Sequence, residues 1–273
     1  MHPVLFKIGT FEVRSFGVVM IVAFMLSVWL AQKRAPKFGI SKAQIGDMAF
    51  WSILAGVFGA RILFIVQEWS YFAAHPDKLL TLRFEGLTSF GGLIFGLGAA
   101  LLWAKKKGIP ARNLLDAVAP AFLVGHLIGR VGCLFNGCCF GGVCPVGTFG
   151  AIHVEGDSLL HYPAQVYDSL MNLLGLGIVL FLERRVRFKP GQVTGLVIAL
   201  HGLARFVYEF WRAGTDEQVR QGLASSTYWF TKPFPITQAQ AMAAALILLG
   251  GLMYAFSSRR KALAPPAEDL AVA

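Results

Sequence analysis

Three arginines raise the first chemical question. Arg61, Arg130 and Arg205 each fall inside an apolar run, about twelve or thirteen residues from that run's basic end. A guanidinium at the centre of a bilayer costs about 2.5–3.5 kcal/mol on insertion scales, so each must have a partner or serve a ligand. At a helical rise of ~1.5 Å per residue all three lie ~18–20 Å from that end, at one depth. Planar forks with a permanent charge suit an anion with paired oxygens, and a lipid phosphate is the anion met at such a depth. Arg205 stands four residues before Glu209, Arg212 three residues after it, and His201 one turn earlier. These four form a polar stripe on one helix. The acids within reach of the arginines are Glu209, Glu68 and Asp168. An internal ion-pair network that only holds helices together is the plainer reading. Three arginines at one level beside glycine-rich helices favour an anion site.

A second cluster begins at Arg130, in the run Gly129-Arg130-Val131-Gly132-Cys133-Leu134-Phe135-Asn136-Gly137-Cys138-Cys139-Phe140-Gly141-Gly142. Its glycines permit a turn that breaks the helix in or near the membrane. Irregular backbone is tolerated there only if buried in protein or lining a cavity. Asn136 can satisfy freed backbone or donate to a ligand oxygen. The four cysteines, Cys133, Cys138, Cys139 and Cys144, are spaced C-x4-C-C-x4-C. That is not the C-x2-C pairing of common zinc sites. Disulfides bracing an outward loop, buried thiols, and a metal or redox site stay open as readings. Adjacent Cys138 and Cys139 would pair with Cys133 or Cys144 before each other.

These residues need elements to hold them. The chain has 273 residues, 56% hydrophobic and 15% charged, with a mean hydropathy of +0.60. Such a composition excludes an ordinary soluble domain. Apolar runs near 16–32, 47–66, 87–104, 117–135, 166–183, 193–211 and 237–257 are each long enough to cross ~30 Å of hydrocarbon. The expectation is an all-α, polytopic transmembrane helical bundle of about seven spans, one membrane domain over 1–261 with a disordered cytoplasmic tail over 262–273. The first run has neither a basic n-region nor a small-x-small cleavage site, so it is expected to be retained as a span.

The net charge of +10 does not indicate nucleic acid, because the basic residues are clustered between the apolar runs. Fifteen of the 25 Lys and Arg fall in the connections around 33–42, 105–112, 184–189 and after the last run, against six in the other connections. That bias predicts an outward N-terminus and a cytoplasmic C-terminus. The longer connections, roughly 67–86, 136–165 and 212–236, then face outward, where function is expected. His75 and Asp77 read as solvated. The alternation of His153, Glu155 and Asp157 suggests one side of a strand.

The cluster after Arg130 resembles the signature of the prolipoprotein diacylglyceryl transferase family, a G-R-(L/I/V)-G-x-(F/L)-x-N-G run. Further segments are similar to that family in the same order. They are Pro3-Val4-Leu5-Phe6-Lys7-Ile8-Gly9, Gly59-Ala60-Arg61, Ser89-Phe90-Gly91-Gly92-Leu93-Ile94, Tyr162-Pro163-Ala164-Gln165-Val166-Tyr167-Asp168 and the stretch His201 to Arg212. The resemblance implies a reaction in the outer half of a bacterial cytoplasmic membrane. The diacylglyceryl group of phosphatidylglycerol passes to the lipobox cysteine of a preprolipoprotein signal peptide, a thioether forms and glycerol phosphate leaves. It implies no cofactor or metal, and substrates and membrane lipids as the partners. By residue, it implies that Arg130 holds the phosphate with Asn136 in support. Arg205 acts on the leaving phosphate, with Glu209 and Arg212 orienting it. Arg61, Ser89, Gly91 and Gly92 fall in binding motifs, Gly141 shapes the outer cavity, and Gln165 and Tyr167 line its mouth.

Several polar positions of the family pattern are changed. Phe90 stands where the pattern has His or Tyr and cannot carry a proton. His201 stands in place of Tyr, Phe16 in place of Tyr and Cys133 in place of Asn, and the His-Pro pair reads Tyr162-Pro163 after His161. His201 is therefore the expected replacement base, since a neutral imidazole accepts a thiol proton. Two other functions fit the same residues: a lipid-binding relative without chemistry, and a thiol redox protein built on the four cysteines.

Overall fold

The computed structural model describes residues 4–9, 11–75, 88–154, 158–213, 228–230 and 236–258. Its helices are α1 (Ser15–Arg34), α2 (Lys42–Gln67), the short α3 (Trp69–Ala74), α4 (Ser89–Lys106), α5 (Ala111–Asn136), α6 (Ala164–Arg185), α7 (Gln192–Arg212) and α8 (Gln238–Ser258). Each of the seven expected spans coincides with a long helix. Six of the described helices (α1, α2, α5, α6, α7 and α8) are long and apolar enough to cross a membrane. The 18-residue α4 is diluted by glycines and ends on Lys105 and Lys106. The fold is an all-α polytopic bundle. Its outward faces carry large apolar side chains such as Met25, Leu102, Leu174 and Leu248, each more than 60% exposed. Such faces are stable where hydrocarbon replaces water.

Antiparallel pairs build the bundle: α2 with α4, α1 with α5, α5 with α6, α6 with α7 and α7 with α8. Apolar contact alone drives little association in lipid, so close backbone approach takes its place. Gly91 shows this best, since a Cβ there would lie 2.4 Å from the Gly59 carbonyl oxygen of α2. Local signals set the ends. Ser41 and Gln44 form a capping box that starts α2. Gly137, at φ 71°, closes α5. That helix runs unbroken through Gly129 and Gly132, so the glycine-rich run breaks only at its end.

The basic end of the bundle holds a buried lock. Arg34, read in the sequence as a loop charge, is 4% exposed. It pairs with Glu183 of α6 and donates to the carbonyls of Asp116 and Ala117 at 2.7 and 3.1 Å. The Asp116 carboxylate accepts from the Gly191 and Thr194 amides at 2.6 and 2.8 Å. Four helices are thereby tied by groups that have no water to turn to.

The other end carries three antiparallel hairpins: β1 (Val4–Ile8) with β2 (Phe11–Arg14), β3 (Ile152–His153) with β4 (Leu160–His161), and β5 (Tyr228–Phe230) with β6 (Ile236–Thr237). The all-α expectation did not include them. The alternation expected through 153–157 survives only as β3, and Glu155, Asp157 and Asp77 lie outside the described residues, as does the tail from 259.

Candidate active site

Asp168, near the N-terminal end of α6, is fully buried and organises the site. Its Oδ2 accepts from Arg130 Nε at 2.5 Å and meets His126 Nε2 at 3.0 Å. Its Oδ1 accepts from Asn172 Nδ2 at 2.6 Å. The spacing explains the geometry. His126 and Arg130 are one turn apart on α5, and Asp168 and Asn172 one turn apart on α6, so two matched faces meet. Asn172 Oδ1 accepts from His201 Nδ1 at 2.8 Å. His201 also sets its ring edge-on to His126 and Phe122, with centroids 4.7 and 5.0 Å away.

Tyr208 joins this group to the stripe on α7. Arg130 Nη2 donates to Tyr208 Oη at 2.8 Å. The Tyr208 ring lies 5.6 Å from the Arg130 guanidinium carbon and 4.6 Å from that of Arg205. One buried aromatic ring therefore faces two cations. Arg205 pairs with Glu209, whose other oxygen accepts from Thr237 Oγ1 at 3.3 Å. Arg212 Nη1 lies 3.7 Å from the same carboxylate. The acids are sealed inside, with Asp168 and Glu209 side chains 1% and 0% exposed, while Arg130 and Arg205 are 19% and 21% exposed. Among the described residues Arg130 bonds protein through Nε and Nη2, and its side chain stays partly exposed.

The loop after α5 is clamped over this layer. Gly141 N donates to the Tyr162 carbonyl at 2.8 Å, and Gly142 N to the Trp211 carbonyl at 3.0 Å. A Cβ on Gly141 would fall 2.4 Å from the Trp211 oxygen, so the loop sits this close only because position 141 is glycine. Gln165 is buried beneath it. Its Nε2 donates to the Cys138 carbonyl at 2.7 Å, and its Oε1 is one of two buried side-chain polar atoms without a partner among the described residues. Asn136 is exposed at the last turn of α5, and Tyr167 packs edge-on against Trp211 at 5.3 Å.

All four cysteines are free thiols. Cys133, Cys138 and Cys139 draw together, while Cys144 is buried apart from them. Hydrogen bonds from the Cys133 and Cys138 thiols, with the charges of Arg130 and Arg212, pull the Cys139 thiol down to about 5 against the opposing effect of burial. Burial pushes the Cys138 thiol up.

Two of the three expected arginines, Arg130 and Arg205, meet over the Tyr208 ring. Arg61 sits on α2, its guanidinium over the rings of Phe64 and Phe72 at 5.8 and 5.3 Å, while Arg130 and Arg205 converge where α5, α6 and α7 meet. Gly91 and Gly92 face α2 and set the packing of α4, and Ser89 opens that helix. Phe90 is 60% exposed on it. Phe16 packs over Gly132, one residue before Cys133. The sequence reading gave no site role to Asn172, His126 or Tyr208. Their signal was helical spacing: Asn172 is four residues from Asp168, His126 four from Arg130 and Tyr208 three from Arg205.

The family profile of prolipoprotein diacylglyceryl transferases matches residues 3–256. The chain belongs to this family. Among its relatives is a phosphatidylglycerol–prolipoprotein diacylglyceryl transferase of Lactobacillus acidophilus, 29% identical over 218 residues, which covers 77% of this chain and 78% of the relative. The transferase of Lactobacillus johnsonii is 26% identical over 274 residues, covering 97% and 93% of the two chains. That of Streptococcus agalactiae serotype Ia is 29% identical over 233 residues, covering 84% and 90%. In this transferase family member Cys133 lies in the last turn of α5, His201 in the middle of α7, and Phe16 and Phe90 in the first turns of α1 and α4.

Proposed function

We propose that this chain transfers the diacylglyceryl group of phosphatidylglycerol to the thiol of the lipobox cysteine of preprolipoproteins. It would act in the outer half of a bacterial cytoplasmic membrane, as a single membrane domain over 1–261. The names of its relatives supply the donor and the acceptor. The observation that carries the reading is the pair of partly exposed guanidiniums, Arg130 and Arg205, over one Tyr208 ring with their carboxylates sealed behind them.

The chemistry follows from where charge develops. Sulfur attacks the glyceryl carbon, a carbon–sulfur bond forms, and the bond from that carbon to the phosphate oxygen breaks. The leaving glycerol phosphate gains charge in that step. Donors already fixed by Asp168, Glu209 and Tyr208 stabilise it without reorganising. Arg130 holds the lipid phosphate, and Arg205 takes the leaving group with Glu209 and Arg212 fixing its angle. Gln165 Oε1 is an acceptor suited to an amide N–H of the acceptor peptide, and Asn136 a donor at the loop. Gly141 and Tyr167 shape the wall beneath the loop, while Arg61, Ser89, Gly91 and Gly92 belong to the α2–α4 pair beside it. His201 lies one turn deeper on α7 than Arg205, with Nδ1 on Asn172. We therefore assign it to positioning Asn172 and Asp168, not to taking the thiol proton.

Complementation tests the reading. Expression in a bacterium depleted of its own diacylglyceryl transferase should restore growth and lipoprotein lipidation, and Arg130→Ala and Arg205→Ala should not. A well-expressed wild-type chain that leaves the acceptor cysteine unmodified would sink it.

A further inference from the structure

The three Sγ atoms of Cys133, Cys138 and Cys139 lie within 4.8 Å of one another. Helix α5 presents Cys133 one turn after Arg130, on the same face. Gly137 then ends the helix at φ 71°, and Cys139 follows at φ 63°. Among the described residues Cys139 is the only non-glycine with positive φ. That conformation is strained for a residue with a side chain and persists only where the surroundings impose it. Here they do, through Gln165 on the Cys138 carbonyl and through Gly141 and Gly142 on Tyr162 and Trp211. The two left-handed residues fold the loop thiols back onto the helix thiol. A tetrahedral zinc ion holds sulfur at ~2.3 Å, which sets its sulfurs about 3.8 Å apart. The three thiols thus need to close by no more than about 1 Å.

We propose that Cys133, Cys138 and Cys139 bind one Zn²⁺ ion whose fourth position receives the thiol of the acceptor cysteine. The proposal rests on the transferase reading and adds the means of activating the nucleophile. Thiolates select zinc over harder ions, and three protein ligands with one position left for substrate is the pattern of a reactive zinc site. Binding to zinc displaces the thiol proton to water at the membrane face, so the sulfur arrives as a thiolate with no base required. This thiolate attacks the glyceryl carbon, and the electron pair of the broken carbon–oxygen bond leaves on the glycerol phosphate. The metal neither gains nor loses electrons. Zinc with four thiolates is dianionic, and Arg130 and Arg212, whose charges both reach Cys139, oppose that charge. Phe90, apolar and exposed on α4, has no means of taking the proton.

The test uses the full chain in detergent, loaded with Zn²⁺ or Co²⁺. One ion per chain and cobalt–thiolate charge-transfer absorption are expected. Cys133→Ser, Cys138→Ser and Cys139→Ser should each weaken binding roughly tenfold or more, and Cys144→Ser should not. Transfer to a lipobox peptide should fall by a similar factor on chelation and return with Zn²⁺. Arg130→Ala should abolish transfer and keep the cobalt spectrum. Undiminished transfer by the triple Cys→Ser variant, or a disulfide among the three in cells, overturns the zinc proposal alone. Zinc held by the three thiols in a chain that transfers nothing overturns the transferase reading and the catalytic role together.

Discussion

Tyr208 carries two functions that substitution can separate. Its hydroxyl accepts from Arg130, and its ring lies under Arg130 and Arg205. Tyr208→Phe keeps the ring and removes a hydrogen bond to a charged group, worth about 1.5 kcal/mol, or roughly a tenfold loss of transfer. Tyr208→Ala loses both and should fall at least another tenfold, read as kcat/KM with labelled phosphatidylglycerol in detergent. Equal rates for wild type and Tyr208→Phe would show the hydroxyl to be idle. His201 poses a different question. As a positioning residue it should tolerate replacement by Tyr with an unchanged pH profile of kcat/KM, while His201→Ala slows the reaction at every pH. Loss of one limb of the profile in both variants would instead make His201 the base.

At the scale of elements, the α2–α4 pair and the loop after α5 both depend on close approach. Gly91→Ala sets a methyl against the Gly59 carbonyl and must push two helices apart. Overpacking of this kind costs about 1–3 kcal/mol. Gly98, on the same helix, has nothing within 4 Å of an added Cβ, so Gly98→Ala should leave stability unchanged or slightly raised. Thermal unfolding of the two variants in detergent gives the comparison, and equal midpoints would refute the packing account. Gly141→Ala should act on the site rather than the bundle. The clamp over Trp211 is lost, transfer falls, and the helical signal stays.

The whole molecule is polarised, with basic connections at one end and three hairpins at the other. A fluorescent protein fused after Ser258 should fold and fluoresce in the cytoplasm, and a periplasm-dependent phosphatase inserted at Phe149 should be active. The reverse pattern would invert the proposed orientation and move the chemistry to the wrong leaflet. The buried lock at the basic end makes a separate prediction. Arg34→Ala leaves Glu183 nearly buried without its counter-charge. A loss of about 3–5 kcal/mol is expected in detergent unfolding, with the specific activity of the folded fraction retained because the lock lies at the far end from Arg130.

By itself the sequence determined the transmembrane helices, because hydropathy over twenty residues is a local property that lipid reads directly. It determined the Arg205–Glu209 pair, because residues four apart on a helix must be neighbours, and it carried the motifs by which the family is known. Only the tertiary structure decided which helix faces meet. Depth along a helix follows from residue count, but rotation about the helix axis does not. Arg61, which residue count sets level with Arg130 and Arg205, sits on α2, while Asp168 closes on Arg130. The thiol cluster was hidden for a related reason. A C-x4-C-C-x4-C spacing shows no metal pattern until a left-handed turn at Gly137 and Cys139 folds two sulfurs back over the end of α5.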